Sequence, residues 1–213
     1  MGEPELLFLL KGLRWTVILS AIGFVGGGVA GLAVALARTS EIKWLERATG
    51  SYISLFQGTP LLMQLFVVYY ALALVGLDLE AWQAVAIGFT LNASAFLGDI
   101  WRGSIEAIPR GQTEAARALS LSYVSRMKDV ILPQAIRISL PATVGFLVQL
   151  IKGTSLASIV GFAELTRSGN IVSNQTFKPL LVFGIVGAMY FVLCWPLSLL
   201  GSWLERRLAA PTR

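Results

Sequence analysis

The sequence predicts an all-α integral membrane protein built on five transmembrane helices, and two observations carry that prediction. Of its 213 residues 55 % are hydrophobic and only 14 % are charged, with a mean hydropathy of +0.71, more than the core of a soluble chain this size needs. Nearly uncharged runs of about 20 residues, the length that crosses the hydrocarbon layer, recur at about 13–37, 50–74, 82–106, 136–160 and 179–203. They leave no stretch for a soluble domain, so residues 1–213 read as one transmembrane domain.

The first run reads as a retained helix. The chain opens Met1-Gly2-Glu3-Pro4-Glu5, acidic where a secretory signal is basic, and no small-residue cleavage site follows a short apolar core. Gly26-Gly27-Gly28-Val29-Ala30-Gly31 satisfies Gly-x-Gly-x-x-Gly, but a dinucleotide fingerprint follows a strand, and here the context is an apolar helix. Gly23, Gly27 and Gly31 fall at four-residue spacing, a flat stripe against which another helix packs closely. In the second run Gly58-Thr59-Pro60 interrupts the helix at membrane depth, because proline lacks the N–H and clashes with the preceding turn. The carbonyls so freed line a cavity or are covered by protein; a simple packing kink is the alternative. The third run carries Asn92, Phe96 and Asp99 at i, i+4 and i+7, on one face. A carboxylate there is expensive to desolvate and is a functional candidate, with a structural i, i+3 pair to Arg102 as the other reading. The fourth run ends in Lys152-Gly153-Thr154-Ser155, and the fifth holds Cys194 as a small buried hydrophobe.

One cysteine and no histidine leave neither a disulfide framework nor the commonest metal ligand and general base, which weighs against most hydrolytic and metal chemistry without forbidding it; the expectation is no catalytic residue, metal or cofactor. Gly-x-x-x-x-Gly-Lys-Ser/Thr is absent from the sequence, so any ATPase must be another chain. Basic residues stay on the cytoplasmic side of a membrane. With the N-terminus outside, the cytoplasmic segments hold twelve of the 17 Lys and Arg residues, from Arg38, Lys43 and Arg47 through to Arg206, Arg207 and Arg213. Only Lys11, Arg14, Lys152, Arg167 and Lys178 fall outside. The net charge of +5 therefore reports topology and anionic lipid contact, with no nucleic acid partner expected. In this orientation the polar segment 107–135 is cytoplasmic. Its scattered Ile108, Ala116, Met127 and Ile131 and its run of good helix formers predict one or two short amphipathic helices with an apolar side that needs a partner.

Within that segment Glu114-Ala115-Ala116 is followed after three residues by Ser120, and after nine more by Val130-Ile131-Leu132-Pro133. This resembles the cytoplasmic coupling loop of ATP-binding-cassette importers: Glu-Ala-Ala, three residues, Gly, nine residues, Ile, one residue, Leu-Pro. Ser120 stands for the Gly and Val130 for the Ile, and the first departure adds a side chain where relatives have bare backbone. Three further runs are similar to those of the polar amino acid permeases of that superfamily, which serve histidine, glutamine, glutamate, arginine and opines. They are Tyr52 to Leu62 in the second helix, Leu91-Asn92 through Asp99 to Gly103 in the third, and Lys152 to Ser158 at the end of the fourth.

The resemblance, which covers roughly residues 13–207, implies a type I importer permease in a bacterial inner membrane, paired with a second permease subunit, identical or paralogous, around a shared translocation path. It also implies cytoplasmic ABC ATPase subunits docked on 107–135, through Glu114, Ala115, Ala116, Ser120, Leu132 and Pro133, and a periplasmic or lipid-anchored amino-acid-binding protein outside. A polar amino acid would pass along Thr59, Asn92, Asp99, Thr154 and Ser155 by alternating access. Many relatives carry an acidic residue where this chain has Gly153, which implies a poorer fit for cationic substrates. A membrane enzyme would instead need His, Asp or Glu clustered near one interface, which the sequence lacks; a non-transporting anchor is the remaining rival.

Overall fold

A computed structural model describes residues 2–40 and 42–208; Arg213, counted above among the basic residues, lies outside them. Helix α1 (Glu3–Arg38) starts ten residues before the predicted run. Glu3 and Glu5 in its first turn, Pro4 at its start and Arg38 in its last turn all suit the helix dipole. At 1.5 Å per residue it is roughly 54 Å long, well beyond the hydrocarbon thickness.

The second predicted span is two pieces. Helix α2 (Lys43–Gly58) ends at the Thr59-Pro60 break, and α3 (Leu61–Phe66) leads through a π turn, Val67–Ala71, into α4 (Leu72–Leu74). The two pieces meet at a bend of 106°. Next come α5 (Ala81–Glu106), α6 (Arg110–Ala118) and α7 (Tyr123–Ser125). From α7 a π turn, Arg126–Ile131, runs into α8 (Leu132–Gly153) and a 3-10 turn, Thr154–Ser158. The chain closes with α9 (Leu165–Thr176) and α10 (Pro179–Leu208). Four stretches are long and apolar enough to cross a membrane unbroken: α1, α5, Tyr123–Ser158 and α10. The bent α2–α4 unit makes the fifth, so the protein is an all-helical, multi-pass membrane protein.

The structure is organised around α5. Of its most apolar stretch 61 % is buried inside the chain, against 28 %, 22 % and 17 % for the other three unbroken spans. Its Val85, Phe89, Ala93 and Leu97 form the main core with Leu19 of α1, Leu65 of α3 and Phe146 and Leu150 of α8. Gly23, Gly27 and Gly31 lie along this contact: a Cβ on Gly23 would sit 2.8 Å from that of Phe89, one on Gly27 would collide with Ala93, and one on Gly31 would come within 3.1 Å of the Ser94 carbonyl and Gly98 nitrogen. Backbone against backbone at this range admits only small residues.

At one end of the bundle Ile108, Met127, Ile131 and Ala135 join Leu36 of α1 and Ile105 of α5, which seats the segment 107–135 on the helices; we call this the loop end. At the far end α9, which is not among the predicted helices, packs Leu165 and Val172 against Leu9 of α1 and Val182 and Val186 of α10. Glu164 caps α9: its carboxylate accepts from the Thr166 and Arg167 N–H groups at 2.8 Å each and from the Tyr190 hydroxyl at 2.9 Å. Burial pushes this carboxyl above its ordinary pKa even though the backbone bonds favour the charged form.

Candidate functional site

At the α2–α3 break the missing N–H of Pro60 leaves the Phe56 carbonyl without its helical donor. Gln64, on the first turn of α3, turns its side chain back: Nε2 donates to the Phe56 carbonyl at 2.7 Å and to the Thr59 carbonyl and hydroxyl at 3.0 Å each. The Thr59 hydroxyl donates to the Leu55 carbonyl at 2.8 Å. Two side chains thus cap three of the stranded acceptors. Gln57, Gly58, Thr59 and Pro60 themselves are exposed, and no described residue donates to the Gln57 or Gly58 carbonyl. The break is therefore an open patch of backbone dipoles inside an apolar helix, which is tolerated only where it lines a cavity or is covered by protein.

One face of α5 holds both sides of this break. Asn92 is buried, and its Nδ2 donates to Gln64 Oε1 at 2.9 Å. Two turns on, Asp99 accepts from Gln57 Nε2 at 3.1 Å. It also accepts from Arg102 at 2.8 and 2.9 Å, and Arg102 makes a second ion pair with Glu106. Between them Phe96 stacks on Phe146 of α8. The i, i+4, i+7 stripe is one face, as its spacing requires, but its two polar members meet other side chains: Asn92 is covered by α3, and Asp99, about 30 % exposed, is ion-paired. A third tie joins α2 to α5, the Tyr52 hydroxyl, 2.6 Å from Ser94 Oγ and 2.9 Å from the Leu91 carbonyl.

Thr154 is completely buried, with its hydroxyl donating to the Ile151 carbonyl at 2.7 Å, so within one chain it presents nothing to a path. Ser155 is half-buried and donates to the Lys152 carbonyl at 2.8 Å. Gly153 is at the break: a Cβ there would lie 3.2 Å from Leu61 Cδ2 and 3.7 Å from the Phe89 ring. Of the residues read from the sequence, Thr59 and Asn92 are joined through Gln64 and Asp99 holds the neighbouring Gln57, whereas Thr154 and Ser155 take no part in this cluster. Gln64 was missed. The signal was present, an amide in the otherwise apolar run Leu61 to Phe66, because an intramembrane polar group must find a partner.

The loop-end segment divides into a seated and an open face. Ala116 is buried, Leu132 is half-buried beside Ile131, and Glu114, Ala115, Ser120 and Pro133 are exposed. Leu119 and Val124 are exposed by 76 % and 69 %. After α6 the chain turns through Ser120 in the left-handed region, φ 57°, with the Ser120 N–H donating to the Arg117 carbonyl at 2.8 Å and the Leu121 N–H to the Ala116 carbonyl at 3.1 Å. That is a Schellman cap, whose left-handed position favours glycine.

A broken helix among apolar spans and a folded loop with an outward apolar face fit a multi-pass membrane transport subunit, and the sequence comparisons give its family. The chain belongs to the family described as the binding-protein-dependent transport system inner membrane component, which matches residues 27–210. It is 34 % identical to the probable amino-acid ABC transporter permease protein YckA of Bacillus subtilis (strain 168), over 95 % of this chain and 89 % of that protein. It is 36 % identical to the L-cystine transport system permease protein TcyB of the same organism, over 94 % and 86 %. Among solved structures, an amino acid ABC transporter with histidines superposes with a TM-score of 0.86 at 36 % identity, covering 94 % of each chain. The inward-facing MetNI methionine ABC transporter shares the fold, with a TM-score of 0.83 at 22 % identity over 99 % of this chain and 100 % of that one.

Proposed function

We propose that this chain forms the translocation path of an ATP-driven importer of polar amino acids, with its N-terminus outside and its C-terminus in the cytoplasm. The observation that carries the coupling part of this reading is the two-faced loop end. Its inner face is seated on α1, α5 and α8, while Glu114, Ala115, Leu119 and Val124 face outward. A short rigid helix with an exposed acid and an exposed apolar patch suits docking in a groove of an ATPase and passing its closure on to the helices. A second permease subunit, identical or paralogous, would complete the path around the α2–α3 break, and a loaded binding protein would dock outside.

The test is reconstitution of the permease with its ATPase and binding protein in vesicles. Hydrolysis stimulated by loaded binding protein and accompanied by amino acid uptake is expected. Glu114→Lys, on an exposed position, should abolish both while the permease stays folded in the membrane; unchanged uptake would overturn the docking assignment. An activity of the permease alone on lipid would favour an enzyme. Orientation is tested separately: a cysteine at Asp78 should react with an impermeant reagent from outside and one at Gln112 should not, with native Cys194 buried.

A further inference from the structure

Resting on the reading that the α2–α3 break lines the path, we propose that Gln64 is a positioning residue of transport: bridged to Asn92, its amide sets the angle of the broken helix against α5. Gln64 is itself only 8 % exposed, and its amide is engaged by protein groups, so its part in transport is to hold the break. What it touches is both sides of the break. Its N–H groups hold the last turn of α2 through the Phe56 and Thr59 carbonyls, its own backbone belongs to α3, and its carbonyl is held by Asn92 of α5. A side-chain amide is the one group of this size that donates twice and accepts at the same time. Leucine would leave the Phe56 carbonyl and the Asn92 amide without partners, and glutamate would turn an acceptor toward acceptors.

The bond from Gln57 to Asp99 lies two turns along the same face of α5. A shift of α5 is therefore delivered to α3 through Asn92 and to α2 through Asp99. The exposed Gln57 and Gly58 carbonyls between these two attachments are reoriented whenever α5 moves relative to either piece. Gln64 thereby converts movement of the central helix into a change of the backbone surface offered to the solute.

The experiment uses the complete reconstituted transporter and reads two rates, amino acid uptake and ATP hydrolysis stimulated by loaded binding protein. Gln64→Leu and Gln64→Glu should assemble and still hydrolyse ATP while uptake per ATP falls roughly tenfold, the order of the penalty when a buried polar group loses its partner. Asn92→Leu should lower the same ratio less, because the caps on α2 remain. The double variant Gln64→Leu with Asn92→Leu should be no worse than Gln64→Leu alone. A wild-type ratio in either Gln64 variant would overturn the proposal, as would a proportional fall of both rates or an additive double variant. If Gln64→Leu fails to assemble, Gln64→Glu decides, since it keeps the acceptor for Asn92. Absence of uptake by the wild-type complex would defeat the permease reading itself, which separates the two failures.

Discussion

Ser120 occupies a left-handed backbone conformation that costs an L-residue roughly 1 kcal/mol and costs glycine almost nothing. The serine is tolerated because two cap bonds close the end of α6 around it. Ser120→Gly should stabilise the turn by about 0.5–1 kcal/mol, seen as severalfold slower hydrogen exchange at the amides of Ser120 and Leu121; faster exchange would refute the strain account. Asp99 presents a different balance. Its pair with Arg102 is about a third exposed, so its contribution to folding is at most about 1 kcal/mol, and Arg102 keeps Glu106 when Asp99 is neutralised. Asp99→Asn should therefore leave the complex assembled and change uptake through the tie to Gln57. If it misfolds and Arg102→Gln restores it, the pair is purely structural.

At the scale of elements the most extensive contact is that of α1 with α5, and two adjacent glycines distinguish packing from helix propensity. A Cβ on Gly27 collides with Ala93 and lies 3.0 Å from its backbone carbon, whereas one on Gly28 meets only Trp101 at 3.6 Å. Gly27→Ala should destabilise the purified permease by about 1–3 kcal/mol, and Gly28→Ala should be neutral or stabilising. Thermal aggregation midpoints of the two variants provide the measurement, and equal midpoints would show that α1 does not need its close approach. This stripe was legible because glycine at four-residue spacing has few other uses in an apolar helix. The break at Gly58-Thr59-Pro60 was legible because proline acts on the backbone locally. Helix α9 was not: its cap is a glutamate buried by Thr16 and Tyr190, residues more than 20 positions away in sequence.

For the whole molecule, we propose that Gly153, beside Leu61 at the break, bears on substrate choice, because the family resemblance implies an acid at this position in other permeases. Without a carboxylate there, a cationic side chain lacks a partner where solvent is scarce. Vesicle uptake of labelled glutamine and glutamate should exceed that of arginine, and Gly153→Glu should narrow the gap; preferential arginine uptake would count against this. Composition and run length alone determined that the chain is a multi-pass helical membrane protein, since about 20 apolar residues per span follow from the thickness of the bilayer. The motif spacing of 107–135 likewise marked its permease family. Only the tertiary structure decided which faces are covered: that α5 is central, that Asn92 meets Gln64, and that Asp99 meets both Gln57 and Arg102. Lipid tails are as apolar as leucine, so a membrane helix that is hydrophobic on every side carries no pattern to tell a lipid-facing surface from one that packs on its neighbour.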